Sequence, residues 1–67
     1  MFIKLTARDN IKILVNMSLV REVGGNWNKK PGYNSILYYD DGRTTYAVET
    51  MEEIYEQMVH LRHTLQP

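Results

Sequence analysis

Apolar and polar residues alternate along the first part of the chain, which is the period expected of half-buried β-strands. The first such run, Phe2-Ile3-Lys4-Leu5-Thr6, is rich in β-forming residues. Further runs of the same kind follow and are separated by short polar or glycine-containing breaks. The pattern predicts strands over residues 2–6, 11–15, 18–23, 34–39 and 43–48.

Two turn signals indicate how neighbouring strands are connected. Asp9 and Asn10 tolerate left-handed backbone conformations, so the first two strands are expected to form a hairpin. Asp41-Gly42 suits the left-handed positions of a tight turn and predicts a second hairpin, between strands 34–39 and 43–48. The region 24–32 contains glycine, proline and asparagine and is predicted to be a longer loop.

The C-terminal segment has a helical period. Thr50 and Glu53 form a Thr-x-x-Glu capping box, in which each side chain satisfies a backbone amide at the start of a helix. Acidic residues lie early and basic residues late, as the helix dipole favours. The predicted helix spans residues 51–64. Its apolar stripe consists of Ile54, Tyr55, Met58, Leu61 and Leu65.

Together these elements predict one α+β domain over residues 1–67, an antiparallel β-meander of about five short strands packed against one C-terminal helix. The second face of the sheet is expected to be solvated, curled into a partial barrel, or covered by a partner. The predicted core comprises Ile3, Leu5, Ile13, Val15, Leu19, Ile36 and Tyr46.

Composition limits the possible functions. The chain has 67 residues and no cysteine, so disulfides and thiolate chemistry cannot supplement its small core. Oligomerisation or binding to a larger protein is the expected supplement. Eight basic and eight acidic residues balance, whereas nucleic-acid-binding proteins usually carry a basic excess. No apolar run approaches membrane-spanning length, and the N-terminal segment does not have the pattern of a signal peptide. The predicted location is the cytoplasm.

Candidate catalytic and metal-binding groups are few. Glu56, His60 and His63 share one side of the predicted helix, but three ligands from one helix make a poor closed metal site, and a solvated last turn explains them. No nucleophile elbow or phosphate-binding loop is present. Asp40 and Asp41 are explained by the turn before Gly42. The sequence therefore predicts a protein that is not an enzyme and has no metal or cofactor.

The loop of residues 24–33 is the most distinctive feature of the sequence. It places Trp27, Lys29, Lys30 and Tyr33 among small flexible residues. One interpretation is a protein-contact loop, because Trp and Tyr are enriched at binding hot spots. A second is a nucleic-acid site, with bases stacked on the aromatic rings and phosphates on the lysines. A third is structural, with Trp27 folded back to plug an open end of the sheet.

Several short motifs resemble those of a known family. Ile3-Lys4-Leu5-Thr6, Ile13-Leu14-Val15-Asn16 before Leu19-Val20, and Asp41-Gly42 occur in that order, followed by Val48-Glu49-Thr50-Met51-Glu52-Glu53-Ile54. This order is similar to the flagellar and swarming motility proteins of the FlbD family, with Thr50 where that family has a serine cap. The loop that holds Trp27 is longer than the family's usual turn. Uncharacterised phage and prophage proteins share the pattern.

The resemblance implies a small accessory protein with no catalytic residues. The sequence as a whole thus predicts a non-catalytic protein-interaction module that contacts its partner through Trp27, Lys29, Lys30 and Tyr33. A homo-oligomer is expected as well. The alternatives are a nucleic-acid-binding module and a phage-encoded protein that binds a host factor.

Overall fold

A computed structural model describes the backbone of residues 1–65 and the side chains of residues 1–62. Short 3-10 turns at Arg8–Asn10 and Met17–Leu19 join the first strand to the second and the second to the third. The predicted α+β class is confirmed. The remaining elements are β1 (Phe2–Thr6), β2 (Lys12–Asn16), β3 (Val20–Gly25), β4 (Ser35–Tyr39), β5 (Thr44–Ala47) and α1 (Met51–Leu65).

The strands divide into two antiparallel sheets that do not close into a barrel, β1-β2 and β3-β4-β5. The division lies at the turn after Asn16, whose side-chain Oδ1 accepts the Ser18 N–H at 3.1 Å. The prediction of Leu19 as a core strand residue is therefore wrong, since Leu19 ends this turn and is 55% exposed. A bulge between Val20 and Glu22 shifts the register of β3 against β4.

Both predicted hairpins are present, and left-handed residues form their turns. Asp9 and Asn10 have φ values of 58° and 60° between β1 and β2. Gly42 has φ of 90° between β4 and β5. A side chain at Gly42 would be strained there, because L-residues rarely adopt this conformation. Asp41 completes the second turn by accepting the Arg43 backbone N–H at 3.0 Å.

The core lies where the two sheets and the helix meet. Four predicted core residues are buried, whereas Ile13 and Tyr46 are only partly buried. Ile36 is buried outside the main cluster. Leu37 belongs to the core although the sequence pattern did not indicate it, because β4 is covered on both faces and its apolar residues do not alternate. The buried cluster consists of Ile3, Leu5, Val15, Leu37, Ala47 and Ile54.

The helix begins with the predicted capping box. The Glu53 N–H donates to Thr50 Oγ1 at 3.1 Å, and the Thr50 N–H donates to Glu53 Oε1 at 2.9 Å. Ile54 is buried, and Met58 and Leu61 are partly buried against the core. Tyr55, which the sequence pattern placed in the apolar stripe, is 68% exposed. The side chain of Leu65 lies outside the described residues.

A hydrogen-bonded junction joins the start of the helical segment to the first sheet. Glu49 Oε1 accepts the Thr6 N–H at 2.8 Å, and Glu49 Oε2 accepts the Thr6 hydroxyl at 2.7 Å. The Lys12 ammonium donates to Thr6 Oγ1 at 2.6 Å, and the Val48 N–H donates to the Thr6 carbonyl at 2.9 Å. Burial raises the pKa of Glu49, but the Thr6 hydrogen bonds and Lys12 outweigh it, and the net shift is downward.

Candidate functional site

The loop between β3 and β4, residues 26–34, is called the Trp27 loop here, and one asparagine side chain shapes it. Asn26 Nδ2 donates to the Lys30 carbonyl at 2.7 Å and to the Tyr33 carbonyl at 3.0 Å. Asn26 Oδ1 accepts the Lys30 N–H at 3.1 Å. These bonds connect both sides of the loop and give it a defined conformation.

The Trp27 loop folds over the outward face of the three-stranded sheet, the face opposite the core. The Trp27 indole N–H donates to the Tyr38 hydroxyl at 3.1 Å, and Asn28 Nδ2 donates to the Tyr46 hydroxyl at 2.6 Å. Ile36 lies between these tyrosines, directly opposite Tyr46 in the sheet and two residues before Tyr38. Ile36 is only 2% exposed on this face.

One side of the loop, called the far side, contains a cation–aromatic cluster of Lys30 with the rings of Tyr33 and Tyr46. The Lys30 ammonium lies 4.5 Å from the Tyr46 ring centroid and 5.7 Å from that of Tyr33. The two rings are tilted by 53°, with their centroids 5.5 Å apart. A cation above an aromatic face is attracted by the ring quadrupole. Lys30 and Tyr33 therefore act within the molecule to hold the loop on the sheet.

An open hollow of about 510 Å³ lies on the other side of the loop, beside Trp27, and is called the Trp27 hollow. Trp27 is 75% exposed although its indole N–H is hydrogen-bonded. Glu22 lies opposite Tyr38 in the strand register. A Cβ added at Gly24 would lie 3.3 Å from the Tyr38 ring, so a side chain there would require the ring to shift by a few tenths of an ångström. The lining residues are Glu22, Gly24, Gly25, Asn26, Trp27 and Tyr38.

The structure separates Trp27 from the other three residues predicted from the sequence, since Lys29, Lys30 and Tyr33 line one depression on the far side of the loop. Trp27 lines the hollow, Lys30 and Tyr33 form the cluster on the far side, and Lys29 is exposed with φ of 54°. The proposal that Trp27 plugs an end of the sheet does not fit its exposure. Tyr38 and Tyr46 complete this surface. The sequence pattern did not predict Tyr38 as a site residue, and its prediction of Tyr46 as a core residue is wrong, since Tyr46 lies on the outward face opposite Ile36.

A second hollow, of about 410 Å³, lies beside the β4–β5 turn. Its charged residues are explained by the turn, because Arg43 Nε donates to Asp41 Oδ2 at 2.7 Å. The backbone N–H of Arg43 lowers the pKa of Asp41, desolvation opposes this, and the Arg43 guanidinium lowers the pKa further, so that the net shift is downward. This hollow is lined by Leu19, Tyr39, Asp40, Asp41, Arg43, Thr44 and Thr45.

Metal-binding groups and membrane-spanning helices are absent from the residues that the structure describes. In the described part of the chain, no three His, Asp or Glu side chains lie together so that they could hold a metal ion. His60 is exposed on α1, and the side chain of His63 lies outside the described residues. Within residues 1–65, no helix combines the length and apolar character that crossing a bilayer requires.

Comparison with known proteins adds no relative to this description. No family model, curated protein or solved structure matches the chain. The similarity to flagellar and swarming motility proteins stays a prediction from the sequence motifs.

Proposed function

We propose that this chain is a small non-catalytic protein-interaction module that uses the Trp27 loop as its contact surface. The observation that carries the proposal is a tryptophan that is 75% exposed although its indole N–H is hydrogen-bonded within the molecule. Its hydrogen bond to Tyr38 limits the motion of the indole before any partner binds. Binding to such a pre-organised aromatic side chain costs little conformational entropy and removes a large apolar area from water.

The surroundings of Trp27 favour a protein partner over a nucleic acid. Single-stranded nucleic acids bind by stacking bases on open aromatic faces beside positive charge. Here Lys30 already covers the faces of Tyr46 and Tyr33. The hollow beside the open indole is instead lined by the acidic Glu22 and, among the described residues, by no lysine or arginine, so it offers phosphate no attraction. The net charge of the chain is zero.

The cellular role that we propose follows from the sequence motifs. The similarity to the FlbD family supports an accessory role in flagellar or swarming motility, and a phage-encoded protein that binds a host factor is the alternative. The role requires no cofactor, and the cytoplasm remains the predicted location.

Replacement of Trp27 tests the contact surface. In cells that naturally make the protein, crosslinking of a tagged chain is expected to capture a partner protein with the wild type but not with Trp27→Ala. The control is Tyr55→Ala, because Tyr55 is similarly exposed, at 68%, but lies on the helix away from the loop. Loss of a central aromatic hot spot typically costs about 2 kcal/mol or more, roughly thirtyfold in affinity. Quantitative mass spectrometry of the captured proteins provides the measurement.

Equal capture by all three chains would refute the contact surface. A nucleic-acid role would give a different result: binding to single-stranded DNA or RNA that weakens steeply with salt and is lost in the double variant Lys29→Ala, Lys30→Ala.

We also propose that a second copy of the chain covers the outward face of the β1–β2 hairpin. Phe2 and Leu14 share this face and are 58% and 69% exposed. Light scattering at micromolar concentration is expected to show a mass above the 7.9 kDa of one chain. Leu14→Lys should restore the monomer, because pairing would bury its charge, while Tyr55→Ala should leave the assembly intact. A monomeric wild type would contradict this prediction.

A further inference from the structure

We propose that the Trp27 hollow binds an arginine side chain of the partner protein. The inference rests on the proposed interaction function and specifies the chemistry that the surface recognises. It is carried by two features in one place: the open indole of Trp27 and the acidic residue Glu22 opposite Tyr38.

The Trp27 indole can recognise a cation because its N–H is already hydrogen-bonded and its ring faces are open. The Trp27 N–H is donated to Tyr38, so this donor is not available to a ligand carbonyl. The ring faces remain, since the side chain is 75% exposed. Among the aromatic side chains, tryptophan attracts cations most strongly. The same molecule already holds a cation over an aromatic face, at Lys30 and Tyr46.

Glu22 gives the hollow its preference for positive charge. Its Oε1 accepts from Arg21 at 3.2 Å, and both side chains of this pair are about 60% exposed (58% and 62%). An exposed ion pair of this kind contributes little to stability. Glu22 can therefore exchange Arg21 for a guanidinium from the partner at small cost. Lys29 and Lys30 line a separate depression on the far side of the loop.

The shape of the hollow favours arginine over lysine. A guanidinium is planar, stacks on aromatic rings and bonds a carboxylate through two N–H groups, whereas an ammonium is a compact and strongly hydrated charge. The hollow offers partners for both properties of a guanidinium, an indole face for stacking and Glu22 for the charge.

A defined peptide tests this inference without knowledge of the natural partner. The probe is a short capped glycine–serine peptide with one central arginine, and its matched control carries citrulline, which keeps the shape but not the charge. Binding is followed by chemical-shift changes of the Trp27 indole N–H and the Gly24 and Gly25 amides. Trp27 is the one tryptophan in the sequence, so its fluorescence gives a second, site-specific signal.

The arginine peptide is expected to give saturable shifts at these three groups at millimolar concentration, with at least about fivefold weaker binding of the citrulline peptide. Glu22→Gln should weaken arginine binding by a similar factor, and Glu52→Gln, an exposed control on the helix, should not. Equal binding of the two peptides, no binding of either, or no effect of Glu22→Gln would overturn the inference. If partner capture still depends on Trp27 in that case, the interaction function stands and only the arginine assignment fails.

Discussion

Ile54→Ala is expected to lower the free energy of unfolding by about 3 kcal/mol, which is much of the stability that a domain of this size has. Ile54 is 1% exposed and belongs to the cluster formed with Ile3, Leu5 and Leu37. Truncation removes buried apolar area and leaves a cavity between the sheets and the helix. The other helix side chains that pack against the core, Met58 and Leu61, are only partly buried, so they cannot compensate for the loss of Ile54.

Urea unfolding followed by circular dichroism measures this effect. The neighbouring substitution Tyr55→Ala serves as the control, because Tyr55 is 68% exposed and its loss should change the free energy of unfolding by no more than about 0.5 kcal/mol. Similar costs at both positions would mean that the helix packs through a different face from the one described.

Glu49→Gln is expected to lower the free energy of unfolding by about 2 kcal/mol at neutral pH, because two charge-assisted hydrogen bonds to Thr6 are weakened. Thr6 is 5% exposed, so its hydroxyl and N–H cannot turn to water instead. The same change removes the negative charge that attracts the Lys12 ammonium, which donates to Thr6 Oγ1.

The pKa of Glu49 predicts how the difference in the free energy of unfolding between wild type and Glu49→Gln depends on pH. The pKa is below its ordinary value of 4.5 in the folded chain, so the unfolded chain takes up the proton first as the pH falls. The stabilisation by the Glu49 carboxylate is therefore present above about pH 4.5 and is lost progressively as the pH falls below that value. Unfolding curves at neutral pH and at about pH 3 should show the gap between wild type and Glu49→Gln narrowing. Glu56→Gln, an exposed control, should keep the wild-type profile, and a gap that is constant with pH would contradict the assignment.

The extent to which the sequence predicted this protein depends on the distance over which each feature is formed. The capping box between Thr50 and Glu53 and the left-handed turn at Gly42 involve residues close together in the chain, and both are present as predicted. The prediction that Leu19 lies in the core was wrong for a reason that is also local, since the Asn16 side chain starts a turn that interrupts the strand pattern.

The candidate site shows the opposite case. The sequence indicated the Trp27 loop, but it could not separate Trp27 from Lys30 and Tyr33, which lie on different sides of that loop. Their separation depends on contacts with Tyr38 and Tyr46, which come from strands that follow later in the chain.

The sequence by itself determined the α+β class, both hairpins and the capped helix, because alternation, turn residues and caps act between near neighbours. Only the tertiary structure decided that the strands divide into two sheets and that Leu37 is buried while Tyr55 is exposed. It also decided that Glu22 and Tyr38 stand beside an open Trp27. The physical reason is that burial and pairing are set by contacts between distant segments, and a local pattern carries no information about which segments meet.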